Sequence, residues 1–205
     1  MKPKVYFIPV KQSDNAQAIG LKLKKLLSVS RLLDFIRKGD KVALKIHFGE
    51  EQNTGYVKPE FVRIVCDELK AKGSQPFLSD TNTLYKGKRT NSRDHLELAH
   101  QHGFTLQNLG VPVIIPDDTK KENVKDVRIN GRFVKTANVA KIFWDADVLV
   151  GIAHFKGHIM TGFGGALKNI GMGCASRKGK LDQHSDIAPL VIKTKCTGCG
   201  QCVLV

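Results

Sequence analysis

Apolar residues recur along this chain in two periods, near two and near 3.6, and their alternation predicts strands separated by helices. Val5 to Val10 reads as a first strand, and Asn15 to Leu27 as a helix with Ile19, Leu23, Leu26 and Leu27 on one face. A second helical piece, 31–37, closes at Gly39. Over 41–48, Val42, Leu44, Ile46 and Phe48 fall on one side, and Ala43, Lys45 and His47 on the other. An inner strand with helices on both faces does not carry Lys45 and His47 without partners; an edge strand with one wet face is the alternative. After the polar loop Gly49 to Gly55, Pro59 fits the first turn of a helix that turns Phe61, Ile64, Val65 and Leu69 inward and stops at Gly73. A short strand, 76–79, runs directly into Asp80-Thr81-Asn82-Thr83. Ser92 is placed to cap a helix closed by Gly103, on which His95, His100 and His102 read as solvated. A strand over 113–115 opens between Pro112 and Pro116. Segments 124–129 and 132–136 flank Asn130-Gly131, the strongest short hairpin signal in the chain. Residues 137–146 read as helix, leading into a strand over 147–153 whose Val148, Leu149, Val150 and Ile152 form the run expected of a strand buried on both faces.

This order describes an α/β fold: a mostly parallel sheet flanked by helices, with an inserted β-hairpin. A length of 205 residues suits one such domain, 1–190, with a small appendage over 191–205. The apolar run at 5–10 is too short for a signal peptide and is broken by Pro9, and no segment approaches the about twenty apolar residues of a membrane span. The expected location is the cytoplasm, with no membrane partner. Lysine and arginine total 33 against 19 acidic residues, a net charge of +14. These charges are scattered, with few aromatics among them and no reading motif. The expectation is therefore a solvated basic surface without sequence-specific nucleic-acid binding.

Candidate chemistry concentrates where strands end. His154 to Gly173 follows the last strand and is rich in glycine, with His154, Lys156, His158 and Lys168 among the turns. It fits neither a phosphate-binding loop of the Gly-x4-Gly-Lys type nor the dinucleotide fingerprint, since Lys168 follows Leu167 and precedes Asn169. A helix beginning near Gly164 and Gly165 would aim free amides at an anion, with Lys168 beside them. If the strands are parallel, Lys45, His47, Asp80 and Asn82 emerge at the same edge as His154. Carboxylate, hydroxyl and amide groups there suit metal, sugar or phosphate contacts. The plainer alternatives are an Asx turn at Asp80 and glycines that serve only packing.

Five cysteines divide into two kinds. Cys66 lies among apolar helix neighbours and reads as core. Cys196, Cys199 and Cys202, spaced by two residues with Gly198 and Gly200 between them, match the opening of the bacterial ferredoxin run Cys-x2-Cys-x2-Cys-x3-Cys-Pro. The fourth cysteine of that run falls beyond Val205, so the expectation is a ferredoxin-like tail truncated within its first cysteine run. Three thiolates alone would not hold a stable 4Fe-4S cluster in this 205-residue chain, unless Cys174 serves as a remote fourth ligand. Zinc bound by the same three with Cys174 or a histidine is the alternative.

Several longer strings carry a resemblance. Lys45-Ile46-His47-Phe48-Gly49-Glu50, Asn53-Thr54-Gly55-Tyr56, Ser79 to Tyr85, His154-Phe155-Lys156-Gly157-His158, Gly162 to Gly173, Cys174-Ala175-Ser176-Arg177 and Gln183-His184-Ser185 resemble the iron-sulfur proteins catalogued as domain of unknown function 362, from about Lys41 to Cys202. The resemblance implies an α/β domain followed by a ferredoxin-like module with 4Fe-4S clusters, and implies no settled reaction. The leading expectation is a redox protein or oxidoreductase with a small anionic or metal-bound substrate and a redox partner protein. In it, His47, Asp80, His154 and His158 ligate a divalent metal or move protons, Lys156 and Lys168 hold an anion, and the cysteine run handles electrons. Two alternatives come from other classes: a metal-dependent hydrolase or transferase with structural clusters, and a basic nucleic-acid-binding module.

Overall fold

A computed structural model describes residues 3–158, 161–184 and 191–200. The first helix, α1 (Ala16–Ser30), starts where Asn15 accepts a hydrogen bond from the Ala18 amide, and ends where Arg31 turns left-handed at φ 54°. There follow β1 (Lys41–Ile46), α2 (Pro59–Ala71), β2 (Gln75–Ser79), α3 (Ser92–Gln101), the single turn α4 (Leu106–Leu109) and β3 (Val113–Ile114). A 3-10 turn at Lys121–Asn123 leads into β4 (Val124–Arg128), β5 (Thr136–Ala140), α5 (Lys141–Trp144) and β6 (Val148–Ile152). The last elements are a small hairpin, β7 (Lys156–His158) with β8 (Gly162–Gly164), then α6 (Ala166–Gly171) and α7 (Arg177–His184).

The expected architecture is present: a parallel sheet of order β3-β2-β1-β6, with helices on both faces. Val42, Leu44, Ile46 and Phe48 pack with Val62, Val65, Cys66 and Leu69 in the main core. On the other face, Ala43 joins Ala140, Phe143 and Cys174. Thus β1 is an inner strand, and its second face is covered where an edge strand would have been wet. Among the described residues, no helix is long and apolar enough to cross a membrane.

Several elements differ from their sequence signals. Val5 to Val10 is not a strand: it joins no ladder, and Val5 and Phe7 are almost fully exposed. The expected helix over 31–37 is a run of turns, because the left-handed Arg31 breaks the spiral. Asn91 caps α3 by accepting from the Asp94 amide, which frees the Ser92 hydroxyl to donate to the Pro116 carbonyl. The inserted hairpin exists, but β4 pairs with 136–140, not with 132–136, and Asn130 (φ 51°) lies in a longer loop. The helix read over 137–146 is strand β5 followed by the one-turn α5. Its alanines favour helix, yet the β4 ladder and the bonds from Ala140 N to Cys174 O and Ser176 N to Asn138 O hold it extended. β6 is not buried on both faces: it pairs with β1 alone, and Leu149 stays 39% exposed. The basic stretch at Arg177, Lys178 and Lys180, which reads as exposed loop, is helix α7 with Lys180 buried.

Candidate functional site

The parallel register of β1, β2 and β6 brings their carboxyl ends together, as expected of ligand sites in open α/β sheets. Lys45 and Asp80 meet there, both almost wholly buried. Asp80 Oδ1 accepts from Lys45 Nζ at 2.8 Å and from the Thr81 amide at 2.8 Å, while Oδ2 accepts from Arg89 Nη2 at 2.8 Å. Burial by itself would raise the Asp80 pKa, but Lys45 and Arg89 outweigh it and hold the carboxyl well below the usual range. Lys45 Nζ also donates to Asn169 Oδ1 at 2.8 Å, and Asn169 Nδ2 donates to the carbonyls of Lys45 and Ile152, both at 3.1 Å. Asn169 therefore ties α6 to the ends of β1 and β6. Gly173 leaves room for this joint, since a Cβ there would meet Lys45 Nζ at 2.5 Å and the Asn169 carbonyl closer still.

A cavity of about 190 Å³ opens over this pair. Five cationic side chains line it, Lys45, Arg89, Lys156, Lys168 and Lys180, against the single carboxylate of Asp80. Lys45 and Arg89 are engaged with Asp80, and Lys180 with Thr81 and Asn82, so the charge left to face a ligand comes from Lys156 and Lys168. Lys180 is buried against the Thr81 hydroxyl and the Asn82 carbonyl, and burial pushes its pKa down to about 8 despite Asp80 and Asp118. Lys168 is also lowered, by burial and then by Lys156.

Burial lowers the pKa of the His47, His154 and His158 imidazoles. The Gly49 amide donates to His47 Nδ1 at 2.8 Å, which leaves the ring proton on Nε2, the atom 3.2 Å from Arg89 Nη1. Burial, reinforced by Arg89, lowers the His47 pKa to about 3. His154 stands edge-on to it, ring centroids 5.9 Å apart, and is lowered by burial and by Lys156. His158 Nε2 contacts Lys168 Nζ, and its Nδ1 lies 3.0 Å from the Thr161 hydroxyl.

Of the residues singled out from sequence, Lys45, His47, Asp80, His154, Lys156, Gly164, Gly165 and Lys168 line one cavity. His158 sits one step back, against Lys168. Asn82 is buried behind the cavity: its Nδ2 donates to Ser92 Oγ at 3.0 Å and its Oδ1 lies 3.3 Å from His95 Nδ1. A helix does begin after Gly165, but α6 has only six residues, so the lysines and not a helix terminus carry the positive charge. Cys174 is buried in the second core cluster, and burial pushes its thiol up to about 11. Cys196 and Cys199 are exposed, and Cys202 lies outside the described residues. His95, expected to be solvated, is fully buried: it accepts from Arg89 Nε at 3.2 Å, and burial lowers it to about 3. His102 is half-buried, stacked on Tyr56 and 2.8 Å from the Phe48 carbonyl, while His100 is exposed. Sequence reasoning missed Arg89, Lys180, Asn169 and Tyr85. Nothing local in the sequence marked Arg89 or Lys180 for burial.

The family model described as "Domain of unknown function (DUF362)" matches residues 42–195. None of the curated proteins matches the chain. Among solved structures, the chain is similar to the lactate racemase apoprotein from Thermoanaerobacterium thermosaccharolyticum, with a TM-score of 0.58 and 18% identity over 79% of this chain. The likeness is one of fold, and the chain spans 38% of the length of that racemase.

Proposed function

The chain belongs to the domain of unknown function family DUF362, and we propose that it forms the substrate-binding α/β part of an iron-sulfur oxidoreductase whose cavity takes a small anion, free or metal-bound. The observation that supports this most is the imbalance of charge, five cationic side chains around one internally neutralised carboxylate in a small cavity. The polar side chains aimed into the space are mainly donors: the Lys156 and Lys168 ammoniums and the His47 Nε2–H. Such a lining is matched by an acceptor-rich ligand such as a carboxylate or phosphate. Lys156 and Lys168 hold the charge, while His154, whose pKa burial and Lys156 lower, is the group placed to accept a proton. A bare divalent cation would meet repulsion here, so a metal enters this reading bound to an anionic ligand, with His154 as the available imidazole; the acceptor nitrogen of His47 is taken by the Gly49 amide.

The tail supports the redox half of the reading. Gly198 and Gly200 adopt φ of 68° and 72°, left-handed turns that curl the chain between and after Cys196 and Cys199. That curl and the exposure of both thiols fit Cys196, Cys199 and Cys202 as three of the four ligands of a 4Fe-4S cluster, which when bound supplies one-electron transfer. Buried in apolar surroundings, Cys174 takes no part in this proposal. Two measurements test it. Titration calorimetry with inorganic phosphate should show saturable binding that Lys156→Ala with Lys168→Ala weakens at least about tenfold, a loss of about 1.4 kcal/mol. Anaerobic iron uptake should depend on Cys196 and Cys199 and be unchanged by Cys174→Ser. Phosphate affinity unaffected by the lysine substitutions, or iron uptake abolished by Cys174→Ser, would count against the respective half.

A further inference from the structure

Glu50 differs from the other acidic groups near the cavity in belonging to an irregular loop, 49–55, and not to a strand end. Its Oε1 forms a close ion pair with Arg89 Nη1 and accepts from the Tyr85 hydroxyl at 2.6 Å, with His47 Nε2 3.8 Å away. Arg89, Tyr85 and His47 all line the cavity. The guanidinium is fixed from behind, Nε to His95 at 3.2 Å and Nη2 to Asp80 at 2.8 Å, so Nη1 is the nitrogen left to reach outward. A preorganised guanidinium and a phenol bonded to one oxygen, with an imidazole nitrogen nearby, suit a carboxylate ligand. The loop that brings Glu50 there lies on the surface. Residues 51–55 are exposed, and Gln52 takes a left-handed conformation at φ 60° that is uncommon for a residue with a side chain.

We propose that Arg89, Tyr85 and His47 form a carboxylate subsite of the cavity, and that Glu50 fills it as an internal stand-in which an incoming carboxylate displaces. This rests on the anion-binding reading above and deepens it. The ligand presents one carboxylate to the Arg89 wall and further negative charge to Lys156 and Lys168. Its affinity is lowered by the work of expelling Glu50.

Oxalate, a small dicarboxylate, is the probe, titrated calorimetrically against the wild type, Glu50→Gln, Glu51→Gln and Glu50→Gln combined with Tyr85→Phe. Glu50→Gln should tighten oxalate binding about tenfold, because the stand-in loses its charge-assisted bond to Arg89. Glu51→Gln removes the same charge from an exposed neighbour in the loop and should change affinity by no more than about twofold. Adding Tyr85→Phe to Glu50→Gln should give back about threefold or more, as the ligand loses the phenol. If Glu50→Gln binds oxalate no more tightly than Glu51→Gln, while Lys156→Ala with Lys168→Ala still weakens it, the subsite is wrong and the anion reading stands. Absence of oxalate binding in every variant overturns both.

Discussion

Replacing Asp80 by asparagine keeps the shape of the most buried charged group in the site and removes its charge. The carboxylate is 2% exposed and answers Lys45 and Arg89, themselves 1% and 6% exposed. It accepts three hydrogen bonds, each of 2.8 Å. An amide in its place offers one acceptor and turns an NH2 donor toward a cation that can only donate. Arg89 retains Glu50, but Lys45 is left with Asn169 Oδ1 as its nearest acceptor. Removing one partner of a buried ion pair costs about 3–5 kcal/mol, and with two cations affected the loss belongs in the upper part of that range. Against a total of about 5–15 kcal/mol for a typical domain, Asp80→Asn should be severely destabilised. Urea unfolding followed by circular dichroism measures this, with an unchanged slope showing that the unfolded state is the same. Adding Lys45→Met should recover about 1–3 kcal/mol by removing the orphaned ammonium. A loss below about 1 kcal/mol for Asp80→Asn would refute the reasoning, as would a double variant weaker than the single one.

Acid should destabilise the fold in the window of the half-buried His47 and the buried His95. His47 and His95 titrate near 3 in the folded protein against 6.5 unfolded, so the unfolded state binds protons first and stability falls from about pH 6.5 toward 3. Asp80, held below its unfolded 3.8, adds a further loss at the acid end of that window; a flat urea midpoint between pH 7 and 5 would contradict the histidine assignment. Lys180 gives the opposite limb. With its folded pKa near 8 and 10.5 unfolded, stability should rise between those values by up to about 3 kcal/mol, and Lys180→Met should abolish the rise. Gly173→Ala forces a Cβ against Lys45 Nζ and the Asn169 carbonyl, and should cost about 1–3 kcal/mol in urea unfolding. A neutral outcome there would mean that the α6 joint yields.

The parts of the fold legible in the sequence are those whose local pattern and tertiary role agree. The alternation in β1, the proline-started α2 and the short β2 all form as their periods require, because each buries the face that its pattern marks. β5 does not, since its alanines carry helix propensity, and its pairing with β4, twelve residues back at Asn138 and Asp126, together with its bonds to the 174–176 backbone makes it a strand. The exposed segment at 5–10 shows the converse, a strand pattern with no ladder to join. In the site, the gathering of Lys45, His47, Asp80 and His154 followed from parallel order alone. Which cations are engaged and which remain for a ligand did not. That depends on contacts such as Lys45 to Asn169, 124 residues apart, and Lys180 to Asn82, 98 apart. His95 illustrates the same limit: it stands on a polar helix, and contacts with Phe48, Asn82 and Arg89, brought from other segments, bury it.

The central claim is that the cavity above Lys45 and Asp80 is an anion site. Soaking crystals of the protein in selenate and locating selenium by anomalous scattering tests it without reference to any reaction. The strongest peak should lie in the cavity, within hydrogen-bonding distance of Lys156 or Lys168 Nζ, and should vanish when both are alanine. Selenium at surface lysines with the cavity empty would contradict the account.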